Sequence, residues 1–482
     1  MTDGRIEKRD KSPSESVVMT RSEDYGRDDQ LSKEGGDAKV NGLEGNIGLS
    51  LDTVVVEENA SESNGFPDGG LRAWLIIVGT MAANISTFGY VNTWGTFQAY
   101  YENTLLAGTS PSTIAWIGSI QYAALYLPCI IIGRLFDIGY FKSIFATASI
   151  VLIVATFLTA ECTTYWQFLL CQGIAVGLAS GTIFAPTLGV ISHWFKKRRG
   201  FALGISACGS SIGGTVFPIM FHNLQVSIGF KWTMRVFGFI LMFTMGISNL
   251  TLRRRLSPVN VTGGMFNFRV FKDPAYSYYT LAGFVAFLGL YTVLTYIDAS
   301  ALSQGVSKSY AFYLVAISNA PSGLGRIVTG VLADRIGPMN IMLPMMAATG
   351  VLTFVWPFVH GTTGITVIAV VYGFTSGAYV GQSSAPLITL GDTADVGRRL
   401  GMYFTTMAFG ALAGLPISGA INDATGSYIP VGIYAGTVVM VAVIFMSYSR
   451  YLVIKRWVVE SLNASVLCIT GLPATTRKQN TD

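Results

Sequence analysis

Charge is what this sequence has least of. Asp, Glu, Lys and Arg make up 12% of its 482 residues, against about 25% in ordinary soluble domains. A chain so poor in charge cannot clothe a water-facing surface of this size, which excludes a soluble globular protein. Histidine is limited to three residues and cysteine to five. Cys129, Cys162, Cys171, Cys208 and Cys468 show no metal-ligand or disulfide-framework spacing, so they read as small apolar packing residues and no metal or cofactor is expected. Phosphate-loop patterns are absent too: the lone "GGDAKV" near the start lacks the Gly-x4-Gly-Lys-Ser/Thr spacing. No nucleophile–base pair stands out, which argues against an enzyme. The net charge of +5 comes from basic residues set between apolar runs, without the interleaved aromatics of a nucleic-acid surface.

What the sequence has in abundance is apolar length. Uncharged runs such as Ala73 to Tyr101, Ser143 to Ala160 and Tyr428 to Tyr448 reach the roughly 18 to 20 residues that cross about 30 Å of hydrocarbon. Twelve spans are expected, near 73–99, 112–133, 142–161, 165–192, 200–221, 231–252, 275–297, 309–332, 340–360, 364–390, 400–420 and 429–449. The fold class is therefore all-α and polytopic. Residues 1–66 are rich in Asp, Glu, Ser, Gly and Lys with almost no aromatics, and read as a disordered tail without a cleavable signal. The first span is expected to serve as its own signal. The longest internal connector, "RRRLSPVNVTGGMFNFRVFKDP", divides the spans six and six, giving bundles over 67–252 and 275–449, a linker over 253–274 and a tail over 450–482.

Lys and Arg set the expected orientation, because each costs about 2.5 to 3.5 kcal/mol at a bilayer centre and short cytoplasmic loops collect them. Alternate connectors carry Arg134 and Lys142, the run Lys196 to Arg199, Arg253 to Arg255, Arg335, and Arg398 with Arg399. The opposite loops hold little beyond Lys231, Arg235 and Lys308. Both termini are thus expected in the cytoplasm, with the plasma membrane as the first choice and the vacuolar membrane as the second. The sequons at Asn59, Asn84, Asn260 and Asn463 then lie out of reach of glycosylation.

The sequence also repeats itself. "GRLFDIG" at Gly133 to Gly139 answers "GVLADRIG" at Gly330 to Gly337. Gly173, Gly177, Gly181, Ala185 and Pro186 answer Gly373, Gly377, Gly381, Ala385 and Pro386, and Gly200, Gly209 and Gly213 answer Gly401, Gly410 and Gly414. Three motifs in one order with nearly one offset imply two homologous six-helix bundles related about an axis normal to the membrane. The Gly-x3-Asp loops after the second and eighth spans resemble the signature loop of the major facilitator superfamily. Within it, "PDGGLRAW" and "HWFKKRRGFALGISACGSSIGG" are similar to the two signatures of the monocarboxylate porter family, especially its fungal members. The resemblance covers about Pro67 to Arg456. It implies two pseudo-symmetric bundles and transport by alternating access.

In lipid, helices gain nothing from hydrophobic exclusion, so glycine at every fourth position offers a groove for close backbone contact. These stripes serve either static packing or sliding, and Pro186 and Pro386 can loosen the helix ends. The resemblance implies that Asp137 and Asp334, with Arg335 beside the latter, latch the cytoplasmic side by meeting the starts of the eleventh and fifth helices. Ile138 stands where the loop pattern has arginine, and Pro338, Met339 and Asn340 replace the basic end of the second copy.

The resemblance also implies a midplane cavity between the bundles. Polar residues of its helices are candidates for substrate contact or helix bridging: Asn84, Tyr90, Asn92, Gln121, Tyr122, Ser206, Ser210, Tyr291, Asn319, Ser322, Arg326 and Gln382. Arg326 is distinct, since a guanidinium in a span needs a cavity or a partner and holds a carboxylate through two parallel bonds. It lies within snorkelling reach of the cytoplasmic end, so a gating role stands beside substrate contact. Characterised carriers of the porter family pair the equivalent arginine with an aspartate four residues earlier and use a lysine in the first helix. Here Ser322 occupies the first position and the first span has no cation. Asp298, at an outer boundary, is the candidate for a coupling proton. The expected function is secondary active export of a specialised metabolite or small organic acid, by a monomer. Proton-linked uptake of a monocarboxylate is the alternative, and a non-transporting solute receptor is the alternative of another class.

Overall fold

The structure is a computed structural model and describes residues 67–257, 264, 266, 268–391 and 395–470. The disordered segment expected over 1–66 and the end of the C-terminal tail lie outside the described residues. Every regular element among those residues is a helix. Among the described residues, ten segments are long and apolar enough to cross a membrane. In chain order the membrane-length helices are α1 (Gly70–Leu105), α2 (Thr113–Ile138), α3 (Phe141–Thr159) and α4 (Tyr165–Trp194). The segment Arg199–Thr251 breaks at Gly229, whose φ of 77° favours glycine, into α5 (199–228) and α6 (230–251). Then come α7 (Pro274–Ser303), α8 (Lys308–Ile336), α9 (Pro338–Phe358), α10 (Thr362–Thr389), α11 (Val396–Thr425) and α12 (Tyr428–Thr470). The helix α8 is not one of the ten: Asn319, Ser322, Arg326 and Asp334 make it more polar than the rest. With it, and with the break at Gly229 counted, twelve helices span the described residues.

Local chemistry sets where these helices begin and end. Ser110 and Ser307 cap α2 and α8 by accepting from the Thr113 and Tyr310 N–H groups, and Asp273 caps α7 through Ala275. The closing glycines of the repeated loops, Gly139 and Gly337, have φ of 114° and 89°, so each loop turns sharply just past its aspartate. Arg254, following α6, donates to the carbonyls of Phe136 and Asp137 and lies 4.9 Å over the Phe136 ring, which supplies positive charge to the α2 terminus.

The glycine stripes have matching partners. A methyl at Gly177 or Gly181 would strike Gln121 and Leu125 of α2, and one at Gly377 or Gly381 would strike Ser322 and Arg326 of α8. Thus α4 lies against α2 as α10 lies against α8, with backbones close enough that only glycine fits. The two prolines differ. Pro186 sits inside an unbroken helix whose irregularity is a π-helical stretch at Leu169–Val176. Pro386 follows a turn at Ser383–Ser384 and opens the short helix Ala385–Thr389, so only the second copy is interrupted beside its proline.

Candidate functional site

At the end that carries the basic loops, the two halves of the chain meet in two seams. In one, the Asp137 carboxylate accepts from the Gly397 and Arg398 N–H groups at 3.2 and 3.1 Å, at the start of α11. In the other, Asp334 accepts from Gly200 and Phe201 at 2.6 and 2.9 Å, at the start of α5. Each carboxylate thereby occupies the positive end of a helix from the opposite half. Backbone contact reinforces both seams: a methyl at Gly133 would overlap the Gly397 carbonyl, and one at Gly200 would overlap that of Gly330. Gln382 adds a bond to the Gly200 carbonyl at 3.0 Å. Asp395 pairs with Arg398 beside the first seam.

The pattern continues away from that end. On α5, Gly204 lies against Arg326 of α8, whereas Gly209 and Gly213 lie against Met81 and Gly89 of α1. On α11, Gly401 lies against Cys129 of α2, whereas Gly410 and Gly414 lie against Phe284 and Leu288 of α7. One repeat of glycines therefore serves first the opposite half and then its own.

Toward the other end a cavity of about 520 Å³ opens, lined by Asn92, Trp94, Tyr122, His222, Tyr291, Asp298, Lys308, Phe312 and Asn319 among others. Below it, a space of about 30 Å³ shares Asn92, Tyr291 and Asn319 and reaches Ser322 and Arg326. A further space of about 40 Å³ lies against Asn84, Leu203, Ser206 and the other flank of Arg326. An aromatic plug borders it: the rings of Phe88 and Phe184 are 4.7 Å apart, Phe184 and Phe404 5.1 Å, and Tyr126 stacks on Phe404 at 5.9 Å. Rings from α1, α2, α4 and α11 thus fill the centre, and the large cavity is separated from the basic end.

Arg326 is the charged centre of this arrangement. Its guanidinium donates to the Ala207 carbonyl at 2.9 Å, to Ser210 Oγ at 2.5 Å and to Ser322 Oγ at 3.4 Å. All three acceptors are neutral, and among the described residues no carboxylate pairs with it. A buried cation without a counter-ion is costly, by several kcal/mol, and is stabilised by any anion that reaches it. Ser322 also accepts from Ser211 Oγ at 3.3 Å, and Asn319 donates to the Gly214 carbonyl at 3.2 Å, so α8 is tied to α5 at three levels.

The candidates therefore separate. Asn92, which accepts from the Tyr122 hydroxyl at 3.2 Å, shares the large cavity with Tyr291, Asn319 and Asp298. Ser322 and Arg326 line the smaller space below it. Tyr90 instead packs fully buried among Phe97, Phe217 and Phe237, inside the first half. Gln382 belongs to the seam, and Arg335 is exposed at the end of α8. Sequence reasoning passed over the plug aromatics, which look like any lipid-facing phenylalanine. It also passed over His222, whose ring stacks on Phe312 at 4.4 Å across α5 and α8. Its place at a span end beside "FHN" was the available signal.

Two seams close one end, a cavity opens at the other, and the repeated glycines pack each half first on its neighbour and then on itself. The sequence profile of the Major Facilitator Superfamily matches residues 75–394 and 280–464. The chain belongs to the Major Facilitator Superfamily. It is a multi-pass membrane transporter. The chain is 38% identical over 391 residues to the aspyridones efflux protein apdF of Emericella nidulans, covering 81% of this chain and 80% of that one. To the fujikurins efflux protein of Gibberella fujikuroi it is 31% identical, covering 86% and 90%. To the MFS transporter asaE of Aspergillus flavus it is 34% identical, covering 85% and 93%. The Escherichia coli fucose:proton symporter has the same fold, with a TM-score of 0.60 at 15% identity over 78% of this chain and 98% of that one. The human organic anion transporter MFSD10 gives 0.61 at 12% identity over 78% and 100%.

Proposed function

We propose that this transporter exports a specialised metabolite bearing an acidic group, by alternating access. One observation carries the substrate class: Arg326, buried in the small space below the cavity, has only neutral partners among the described residues, so an anionic substrate supplies the missing counter-charge. The export direction is supported by relatives named as efflux proteins of aspyridones and fujikurins, each aligned over at least 80% of both chains. On this reading Asn92, Tyr291, Asn319 and Ser322 orient the substrate by hydrogen bonds, and the aromatic walls accept its apolar body.

Asp137 and Asp334, with Arg335 beside it, form the inner gate. Gln382 acts in that gate by bracing the start of α5. Asp298, on the wall of the large cavity, carries the coupling proton. The two halves move as bundles over 67–252 and 275–449, joined by 253–274, in a protein that works as a monomer. The basic loops and both termini face the cytoplasm, and the plasma membrane is the site. The finer placement in the monocarboxylate porter family rests on "PDGGLRAW" and "HWFKKRRGFALGISACGSSIGG".

A strain lacking the gene tests the direction. An acidic product should build up inside the cells and fall in the medium, and re-expression should reverse both. Accumulation of labelled lactate or pyruvate that collapses with an uncoupler would replace export by uptake.

A further inference from the structure

Immediately before α1, Asp68 reaches away from its own helix to grip the loop that precedes α5. Its Oδ1 accepts from three consecutive backbone N–H groups, those of Lys196, Lys197 and Arg198, at 2.7, 2.7 and 3.2 Å. Its own N–H donates to the Trp194 carbonyl at 3.2 Å. Converging N–H groups of this kind form a nest for one anionic oxygen. Asp68 is also the one non-glycine residue with a positive φ, 45°, among the described residues, a backbone state that persists only where its surroundings hold it.

The loop it grips leads straight into the latch. Lys196 to Arg198 are followed by Gly200 and Phe201, whose N–H groups are those taken by Asp334. Two carboxylates, one from the threshold of α1 and one from α8, therefore share five N–H groups at the start of α5. Arg199 lies between them and is attracted by both. The loop is held on its other flank as well: Trp194 Nε1 donates to the Arg253 carbonyl at 3.0 Å and Arg255 to that of His193 at 3.4 Å. The matching position in the second half behaves differently. Asp273, just before α7, caps its own helix through Ala275.

We propose that Asp68 is a positioning residue for the inner gate: it immobilises the loop before α5 so that Gly200 and Phe201 present their N–H groups to Asp334. The point where the chain enters α1 is thereby tied to one of the two seams, and the other seam has its own acid, Asp395, on Arg398. The inference rests on reading Asp334 as a latch.

The test uses the full chain in nanodiscs with its five native cysteines replaced by alanine and a reporter, Leu203→Cys, in the small cavity under the plug. Maleimide alkylation there reports opening of the basic end, and tryptic cleavage at Lys196 to Arg199 reports release of the loop. Asp68→Ala should raise both, alkylation by about tenfold, as expected for losing charge-assisted hydrogen bonds in one state only. Asp68→Asn keeps an acceptor oxygen without the charge and should raise alkylation by a smaller factor. Asp334→Asn should raise alkylation too, and adding Asp68→Ala to it should change little, because both act through one contact. Independent multiplication of the two effects overturns the inference. So does a fall in melting temperature with alkylation unchanged in Asp68→Ala, or in Asp68→Asn if the alanine variant does not fold. If Asp334→Asn alone leaves alkylation unchanged, the latch reading itself has failed.

Discussion

Gly330→Ala puts one methyl group into the seam between α5 and α8. Its carbon would stand 2.5 Å from the Gly200 carbonyl oxygen and 3.1 Å from the Gly200 carbonyl carbon and Phe201 Cα. All three are backbone atoms, so no side chain can turn aside, and the helices must separate by most of an ångström. The bonds from Gly200 and Phe201 to Asp334 stretch by a similar amount. Overpacking of this kind costs roughly 1 to 3 kcal/mol, and the cost falls on the state in which this seam is closed. A differential of that size shifts a two-state balance by about 5- to 150-fold. The alkylation rate of Leu203→Cys should rise within that range. Gly350→Ala serves as a control, since its methyl meets Met440 Sδ at 2.8 Å between α9 and α12, within the second half. It should lower the melting temperature without changing alkylation. If Gly330→Ala lowers the melting temperature and leaves the rate where it was, α5 and α8 do not part during the cycle and the gate has been misplaced.

Other expectations follow from single contacts. Arg326→Ala should weaken transport of an acidic substrate by about 3 kcal/mol, roughly a hundredfold in KM, at unchanged surface level, and Arg326→Lys should not restore it, because an ammonium cannot form the paired bonds. Asp137→Asn should open the α2–α11 seam, read as faster alkylation of the same reporter, because an amide replaces the carboxylate that accepts from Gly397 and Arg398. Asp298→Asn should abolish the dependence of transport on a pH gradient while leaving binding of the substrate intact. Hydrogen bonds from Lys231 and Arg235 hold the Glu161 carboxyl below the usual carboxylate range. Any stability it lends is present above that range and lost as the pH falls through it. Because the pair is exposed, Glu161→Gln should not measurably move the melting temperature at neutral pH.

Much of this was legible because lipid simplifies the code. Length and apolarity reveal spans, and the repeated Gly-x3-Asp loops and glycine stripes are visible because close backbone approach in a membrane tolerates little else. The start of α5 as the partner of Asp334 came from the resemblance, and the hydrogen bonds at Gly200 and Phe201 give that pairing its geometry. The centre was less legible. Phe88, Tyr126, Phe184 and Phe404 differ in no sequence property from aromatics that face lipid, so only their packing marks them as a plug. Tyr90 and Gln382 show the same limit, since which face of a helix meets the cavity depends on a few tens of degrees of rotation. The break in α8's apolarity was itself a signal, because a span that accommodates Asn319, Ser322 and Arg326 needs a polar cavity or partner beside it.

The central claim is that the two halves rock about this cavity, so that one end closes as the other opens. Spin labels at Lys197 and Arg335 at the basic end, and at Asn103 and Ser309 by the mouth of the large cavity, read both ends by double electron–electron resonance in nanodiscs. Gly330→Ala should lengthen the first distance and shorten the second. Two distances that stay fixed, or that lengthen together, would contradict the account.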